Sequence, residues 1–443
     1  MNRSDLFRTK SVWSLIAQMS IPALVSILVM LLYNMTDMYF VARTGDDDQV
    51  AAVSLVMPVF TFLMAISTML GNGACTLIAQ ALGRKEEQMA RVYSSLCIWG
   101  CIGFGGVFLV LCFLFSGQLL TFLGVNENVW AYTKTYLLVL AAGAPIILLN
   151  HSLGSILRGE GAPRQGMTGG MVSTATNIML DPIFISVFGL GVGGAAVATV
   201  LGNLAGCAYF LAYKRRHTSI LNMHLQYAKQ NLRLLGGLLG LGLPNAVSSS
   251  LSGFASTFSN RLLAGHSIGA VAAMGAAGKV TMMITMVQMG VCMGTQPLMA
   301  YCHGAKDHAR LRETLRKLAL VTCVLGLSMG TFAFLAREQI ISLFISDGEL
   351  RALGCHIVTI TICSAPFMGF FYLGMNYLQA SGKALLATVV SALRQGVLLI
   401  PLLYLMEALF HLDGPAIAHV AADVAAIAIS VGCAIYDIKR EAQ

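Results

Sequence analysis

The chain has 443 residues, 57% of them hydrophobic and 11% charged, with a mean hydropathy of +0.75. A soluble domain carries about 25% charged residues, so this chain lacks the polar side chains to cover a surface facing water and reads as an integral membrane protein. Its net charge of +8 would suit a nucleic-acid partner, but the distribution described below makes it a topology signal, and no nucleic acid is expected.

The first dozen residues, MNRSDLFRTKSV, are polar and basic. The apolar run after them is too long for a signal-peptide core and contains Asp37, so no cleavable signal is expected. A hydrocarbon core of about 30 Å needs about 20 apolar residues of helix. Runs of that kind predict twelve spans, near 14–40, 50–80, 93–117, 131–157, 164–188, 194–213, 236–264, 270–301, 315–336, 352–380, 384–410 and 414–435. With the N-terminus in the cytoplasm, inward segments hold twenty-one Lys and Arg and outward segments four. Short cytoplasmic loops collect Lys and Arg, so both termini are expected on that side.

Span one ends YNMTDMYF, with Asn34 and Asp37 three residues apart on one helix face. Span five holds NIMLDPIFI, with Asn177 and Asp181 four apart, and span six contributes Thr199. A charge at a span centre costs about 2.5–3.5 kcal/mol on the insertion scale, so such residues usually face a cavity and act there. Pro182 has no N–H to offer the Ile178 carbonyl. Carboxylates, amides and a spare carbonyl make a candidate site for a small cation. The other reading places Asp37 and Asp181 at the outer ends of their spans, capping helices near water.

The segment 214–233, KRRHTSILNMHLQYAKQNLR, reads as a cytoplasmic linker between an N-terminal bundle (1–213) and a C-terminal bundle (234–443). The second half carries Arg261, Lys279, Arg394, Glu407, His419 and Asp423, with His419 and Asp423 on one face. A second proton relay and an internally paired structural network are both open readings of Arg261, Lys279, Arg394, His419 and Asp423. No carboxylate stands at the positions aligned with Asp37 and Asp181, so ion chemistry is expected in the first half.

The halves repeat. SIPALVS (20–26) matches GLPNAVS (242–248), LRGEG (157–161) matches LQASG (378–382), and Gly73, Gly83 and Pro145 match Gly294, Gly304 and Pro366 at an offset of 221. Each half has an even number of spans, so both start from the same side and the repeats are parallel. The eleven cysteines show no metal-ligand spacing and read as apolar filler. GLGVGG (189–194) lacks the preceding strand of a nucleotide loop and reads as a tight turn.

Four stretches, LYNMTDMYFVARTG, LRGEGAPRQGM, NIMLDPIFI and GTQPLMAYCHGAKD, together resemble the MATE (multidrug and toxic compound extrusion) family in its bacterial DinF-like or Mep-like branch. The likeness covers essentially the whole chain. It implies an all-α integral membrane protein of twelve spans, in two parallel six-helix repeats forming a V-shaped two-lobe transporter of a bacterial cytoplasmic (inner) membrane. It further implies ion-driven export of amphipathic, usually cationic compounds. The family's N-lobe cation or proton site maps onto Asp37, Asn177, Asp181 and Thr199, with Tyr136 as a neighbour. Acids used by the NorM-like branch in spans seven and ten have no counterpart here.

The expectation is a secondary antiporter, not an enzyme, exchanging small amphipathic or cationic molecules for H⁺ or Na⁺ by alternating access. It would work as a monomer among membrane lipids, with no cofactor beyond the coupling ion. No dedicated metal site is expected, although Na⁺ is a candidate ligand of Asp37, Asn177, Asp181 and Thr199. The alternative is a lipid-linked precursor flippase of similar two-bundle architecture. Its cavity would need to be strongly cationic to hold pyrophosphate, whereas the N-half constellation is acidic.

Overall fold

A computed structural model describes residues 7, 10–42, 47–217, 219–345 and 347–441, with the side chains of 30–35, 37–42, 47, 268 and 441 outside the description. Among the described residues all regular structure is helical. The long helices are α1 (Val12–Ala42), α2 (Asp47–Gly83), α3 (Glu87–Leu114), α4 (Glu127–Gly159), α5 (Pro163–Pro182), α6 (Gly191–Arg216), α7 (Leu235–His266), α8 (Ile268–Gly304) and α9 (His308–Leu335). After them come α10 (Gly348–Thr361), α11 (Met368–Ala380), α12 (Ala384–Ala392), α13 (Leu399–Phe410) and α14 (Gly414–Glu441). Helices α10 and α11 together make the tenth predicted span, and α12 and α13 make the eleventh.

Eleven helical segments are long and apolar enough to cross a membrane, the last being Ala384–Arg440 with 57 residues. At 1.5 Å per residue a straight helix of that length would be roughly 85 Å, far beyond a bilayer. It turns back at His411–Asp413, where His411 takes φ 51°, and so supplies two passes. The twelve predicted spans are all helical. Their outer surfaces are apolar, with Val187 and Leu385 75% and 79% exposed. Such surfaces are tolerable against lipid and costly against water.

The chain divides into two compact units. The first holds Phe7 and Ile21–Gly242, and the second holds Lys10–Ser20 and Leu243–Gln443. The exchange points, Ser20/Ile21 and Gly242/Leu243, fall just before Pro22 and Pro244, the same position in each repeat.

In the first unit α2 and α3 pack on α4, and α5 packs on α6. Gly105 of α3 lies against Pro145 of α4, where a Cβ would stand 2.5 Å from the proline Cα. The segment 219–230 is no loose tether. Trp99 Nε1 and Ser95 Oγ of α3 donate to the carbonyls of Met223 (3.1 Å) and His224 (2.8 Å). The Asn222 N–H donates to Ser94 Oγ at 3.2 Å, and Ser219 donates to the buried Glu160 at 2.7 Å.

The second unit repeats the glycine–proline contact, with Gly326 of α9 against the Pro366 carbonyl. Here, however, the helix breaks, and a tight turn at Ala365–Phe367 separates α10 from α11. Gln288 of α8 donates to the Ala365 and Pro366 carbonyls at 3.0 and 3.2 Å. Its counterpart in the first unit, Ser67, donates to the Leu148 carbonyl at 3.2 Å. An amide that reaches two carbonyls holds the opened backbone where one hydroxyl suffices for the intact helix.

Candidate functional site: a buried carboxylate in the first unit

Asp181 sits at the end of α5 with no exposed surface, between the apolar runs Ile178–Leu180 and Ile183–Ile185. Beyond Pro182 the helix widens by one residue per turn over Ile183–Val187, where the Phe188 N–H bonds to the Ile183 carbonyl at 2.9 Å. Widened turns of this kind recur at functional sites because they re-aim the side chains on either side.

Asn177 lies one turn before Asp181 and is 3% exposed. With its carbonyl toward α6, the amide donates to Asp181 Oδ2 at 3.2 Å and accepts from the Thr199 backbone N–H at 3.0 Å. Turned the other way, its amino group lies 3.3 Å from Asp181 Oδ1 and 3.4 Å from Thr199 Oγ1. Either orientation links α5 to α6 through one amide. Thr199 Oγ1 also donates to the Ala195 carbonyl at 3.0 Å.

Glycines on α6 permit this approach. A Cβ at Gly194 would stand 2.7 Å from Phe184 backbone atoms, and one at Gly202 would stand 2.7 Å from the Ser173 carbonyl and 2.9 Å from Asn177 Cβ. Closely packed helices in lipid characteristically use such small residues. Asn177, Asp181 and Thr199 are therefore brought together, and Tyr136 is buried on α4 of the same unit. Asn34 and Asp37 belong to α1, but their side chains lie outside the described residues.

In the second unit, Asp423 of α14 is held from two sides. Its Oδ1 accepts from Arg394 Nε at 2.8 Å and its Oδ2 accepts from Ser364 Oγ at 3.0 Å. Arg394 stands on a widened turn, Leu393–Leu398, between α12 and α13, and its guanidinium lies over the Phe371 ring at 5.1 Å. Ser364 belongs to the break between α10 and α11. Two departures from regular helix thus converge on one carboxylate. His419 precedes Asp423 by one turn of α14. Lys279 packs over the Phe344 ring at 4.9 Å, Glu407 pairs with His266 at 3.2 Å, and Arg261 is exposed on α7. Among the described residues the second-half charges do not form one network.

Two residues of the first unit were missed in the sequence. Asn203 donates to the Thr199 carbonyl at 2.8 Å, and Asn150 of α4 donates to Asn203 Oδ1 at 2.9 Å. The available signal was Asn203 at four residues from Thr199, which puts both on one face. Asn150, in LLNHSLG, stood out only as an amide within a span.

Two helical units carrying the same sequence repeat, with a buried carboxylate in the first, fit a polytopic transporter scaffold. A family profile, MatE, matches residues 22–183 and again 244–405, once in each repeat. The chain belongs to the MATE family of membrane transporters. It is 30% identical over 408 residues to the multidrug export protein MepA of Staphylococcus aureus, an alignment covering 92% of this chain and 90% of that one. MepA of Staphylococcus saprophyticus matches with the same identity and coverage. Among solved structures, a MATE in the bent conformation superposes with a TM-score of 0.92 at 23% identity, covering 100% of this chain and 98% of that one. An outward-facing multidrug resistance MATE transporter of the MOP superfamily superposes with a TM-score of 0.91 at 22% identity, covering 100% and 99%.

Proposed function

We propose that this protein exports amphipathic, cationic small molecules from the cytoplasm of a bacterium in exchange for H⁺ or Na⁺. It would act as a monomer in the inner membrane with both termini inside. The observation that carries this reading is Asp181, a carboxylate without exposed surface whose neighbour Asn177 ties it to α6. Its relatives' names as multidrug export proteins support the cargo class.

A carboxylate in that setting changes its surroundings most when it gains or loses a positive ion. Uptake of H⁺ or Na⁺ removes a net charge that burial penalises, which favours closure of one access side and weakens the hold on a cationic cargo. Release on the other side restores the charge and the affinity. Both steps bias one two-state element, the alternating access of the bundles.

Energetics bound the exchange. One charge crossing 100 mV supplies about 2.3 kcal/mol, a concentration ratio of about fifty. One-for-one exchange of a monovalent cation with H⁺ moves no net charge and draws only on the ion's concentration gradient. Exchange for two ions, or export of a neutral compound, adds the voltage. Transport of a fluorescent cation in proteoliposomes, with H⁺ and Na⁺ gradients imposed separately, tests the proposal. Efflux driven by either gradient supports it, and efflux indifferent to both refutes it.

A further inference from the structure

Helix α7 is polarised the wrong way for a span that faces lipid. Its inner side packs Ala255, Phe258 and Leu262 on Leu399 and Leu403 of α13 and on Ala418 and Ala422 of α14. Its exposed side carries Ser249, Gly253, Ser256, Thr257, Asn260 and Arg261, which helical spacing gathers on one face. By contrast, α9 exposes Leu320, Val324, Leu327 and Phe332, a surface suited to acyl chains. Polar side chains are costly against hydrocarbon and usually face a water-filled cavity, so the exposed face of α7 belongs to a hydrated path.

An arginine near the end of a span can reach the headgroups, and α7 ends soon after Arg261, at His266. That does not account for the rest of the face. Ser249 lies roughly 18 Å farther along the helix than Arg261, well into a hydrocarbon core of about 30 Å. Thr257 Oγ1 donates to the Gly253 carbonyl of its own helix at 3.1 Å. Asn260 and Arg261 have no hydrogen-bond or ion-pair partner among the described residues. Two acids of the neighbouring helices are already engaged, Glu407 by His266 at 3.2 Å and Asp423 by Arg394 at 2.8 Å. Arg261 is thus an exposed guanidinium on a hydrated face, with no anion to meet it.

We propose that Arg261 and Asn260 bind the carboxylate of amphipathic zwitterionic cargo, so that the exporter carries such zwitterions as well as plain cations. The inference rests on the export reading and widens its cargo. The guanidinium presents a planar fork of donors that matches a carboxylate, and the Asn260 amide adds two more N–H groups beside it. Phe254, two helical turns before Arg261, leaves 63% of its surface exposed and offers a flat apolar face to an aromatic cargo body. A cation without an acid group is repelled by Arg261 and gains nothing from it. Arg261 is thus a specificity-determining residue.

The test uses the full chain in proteoliposomes and two rhodamine dyes that differ in one group. One has a free carboxylate and is zwitterionic at neutral pH, and the other is its methyl ester, a plain cation. In the wild type the carboxylate dye is expected to show a half-saturation about threefold below that of the ester. Arg261→Gln is expected to lower the carboxylate-to-ester ratio of kcat/KM about tenfold, and Arg261→Lys, which keeps the charge, to restore part of it. Asn260→Leu leaves the guanidinium in place and is expected to lower the ratio about threefold. A wild type that exports the ester and refuses the carboxylate dye overturns the proposal without any variant. So does a folded Arg261→Gln that slows both dyes equally, which would place Arg261 with lipid headgroups, or one that leaves the ratio unchanged. A wild type that exports neither dye overturns the export reading itself, and the cargo class with it.

Discussion

Lys85 and Lys306, 221 residues apart, adopt the same left-handed backbone conformation, φ 63° and 55°. Each closes a helix in the same way. Lys85 and Glu86 N–H bond to the Leu82 and Ala81 carbonyls at 3.0 and 2.8 Å, and Lys306 and Asp307 N–H bond to His303 and Cys302 at 3.1 and 3.0 Å. Gly161 and Gly382 repeat the pattern at φ 85° and 82°. These matching caps extend the repeat from sequence to backbone. Lysine is strained in this conformation by about 1 kcal/mol. Lys85→Gly is expected to match or exceed wild-type thermal stability in detergent, and Lys85→Val to lower it by about 1–2 kcal/mol.

Gly202 governs how closely α6 approaches Asn177. Gly202→Ala places a methyl 2.7 Å from the Ser173 carbonyl and 2.9 Å from Asn177 Cβ, and neither neighbour is the end of a flexible side chain. The expected destabilisation is about 1–3 kcal/mol, with loss of export larger than loss of folded protein. Gly103→Ala is the control, because a Cβ there meets nothing within 4 Å. Yield and monodispersity, compared with transport per folded molecule, check both variants.

Arg394 and Asp423 are each about 15% exposed, with side-chain values of 15% and 16%. Removing one partner leaves a poorly solvated charge, which costs about 3–5 kcal/mol, whereas replacing both with neutral groups costs far less. Arg394→Met and Asp423→Asn are each expected to lower the unfolding temperature sharply, and the double variant to recover most of the loss. Additive losses in the double-mutant cycle would mean that the pair is not coupled.

Trp99 ties the segment after α6 to α3. Trp99→Phe removes one hydrogen bond worth about 1 kcal/mol and is expected to speed tryptic cleavage at Lys229. Unchanged digestion kinetics would show that the other contacts hold this segment alone.

The fold was largely legible because membrane spans follow from apolar length, and the repeat survived as fixed proline and glycine positions. The helix break beside Pro366 was not legible, since its counterpart Pro145, also preceded by alanine, sits in an unbroken helix. Widened turns at Ile183–Val187 and Leu393–Leu398 have no sequence period of their own. In the site, Asn177, Asp181 and Thr199 were legible because polar groups in a span are conspicuous. Asn150 and Asn203 were not singled out, because only the packing of α4 on α6 joins them. The linker reading of 214–233 followed its polarity, but contacts with Ser94, Ser95 and Trp99 depend on a surface that the segment itself does not encode.

The central claim is that Asp181 carries the coupling ion. Its most direct test is ion-driven efflux from proteoliposomes containing Asp181→Asn, an isosteric change that keeps a partner for Asn177. The account predicts folded protein with export reduced at least about a hundredfold, equivalent to about 2.7 kcal/mol, under both H⁺ and Na⁺ gradients. Wild-type export by the variant under either gradient would contradict it.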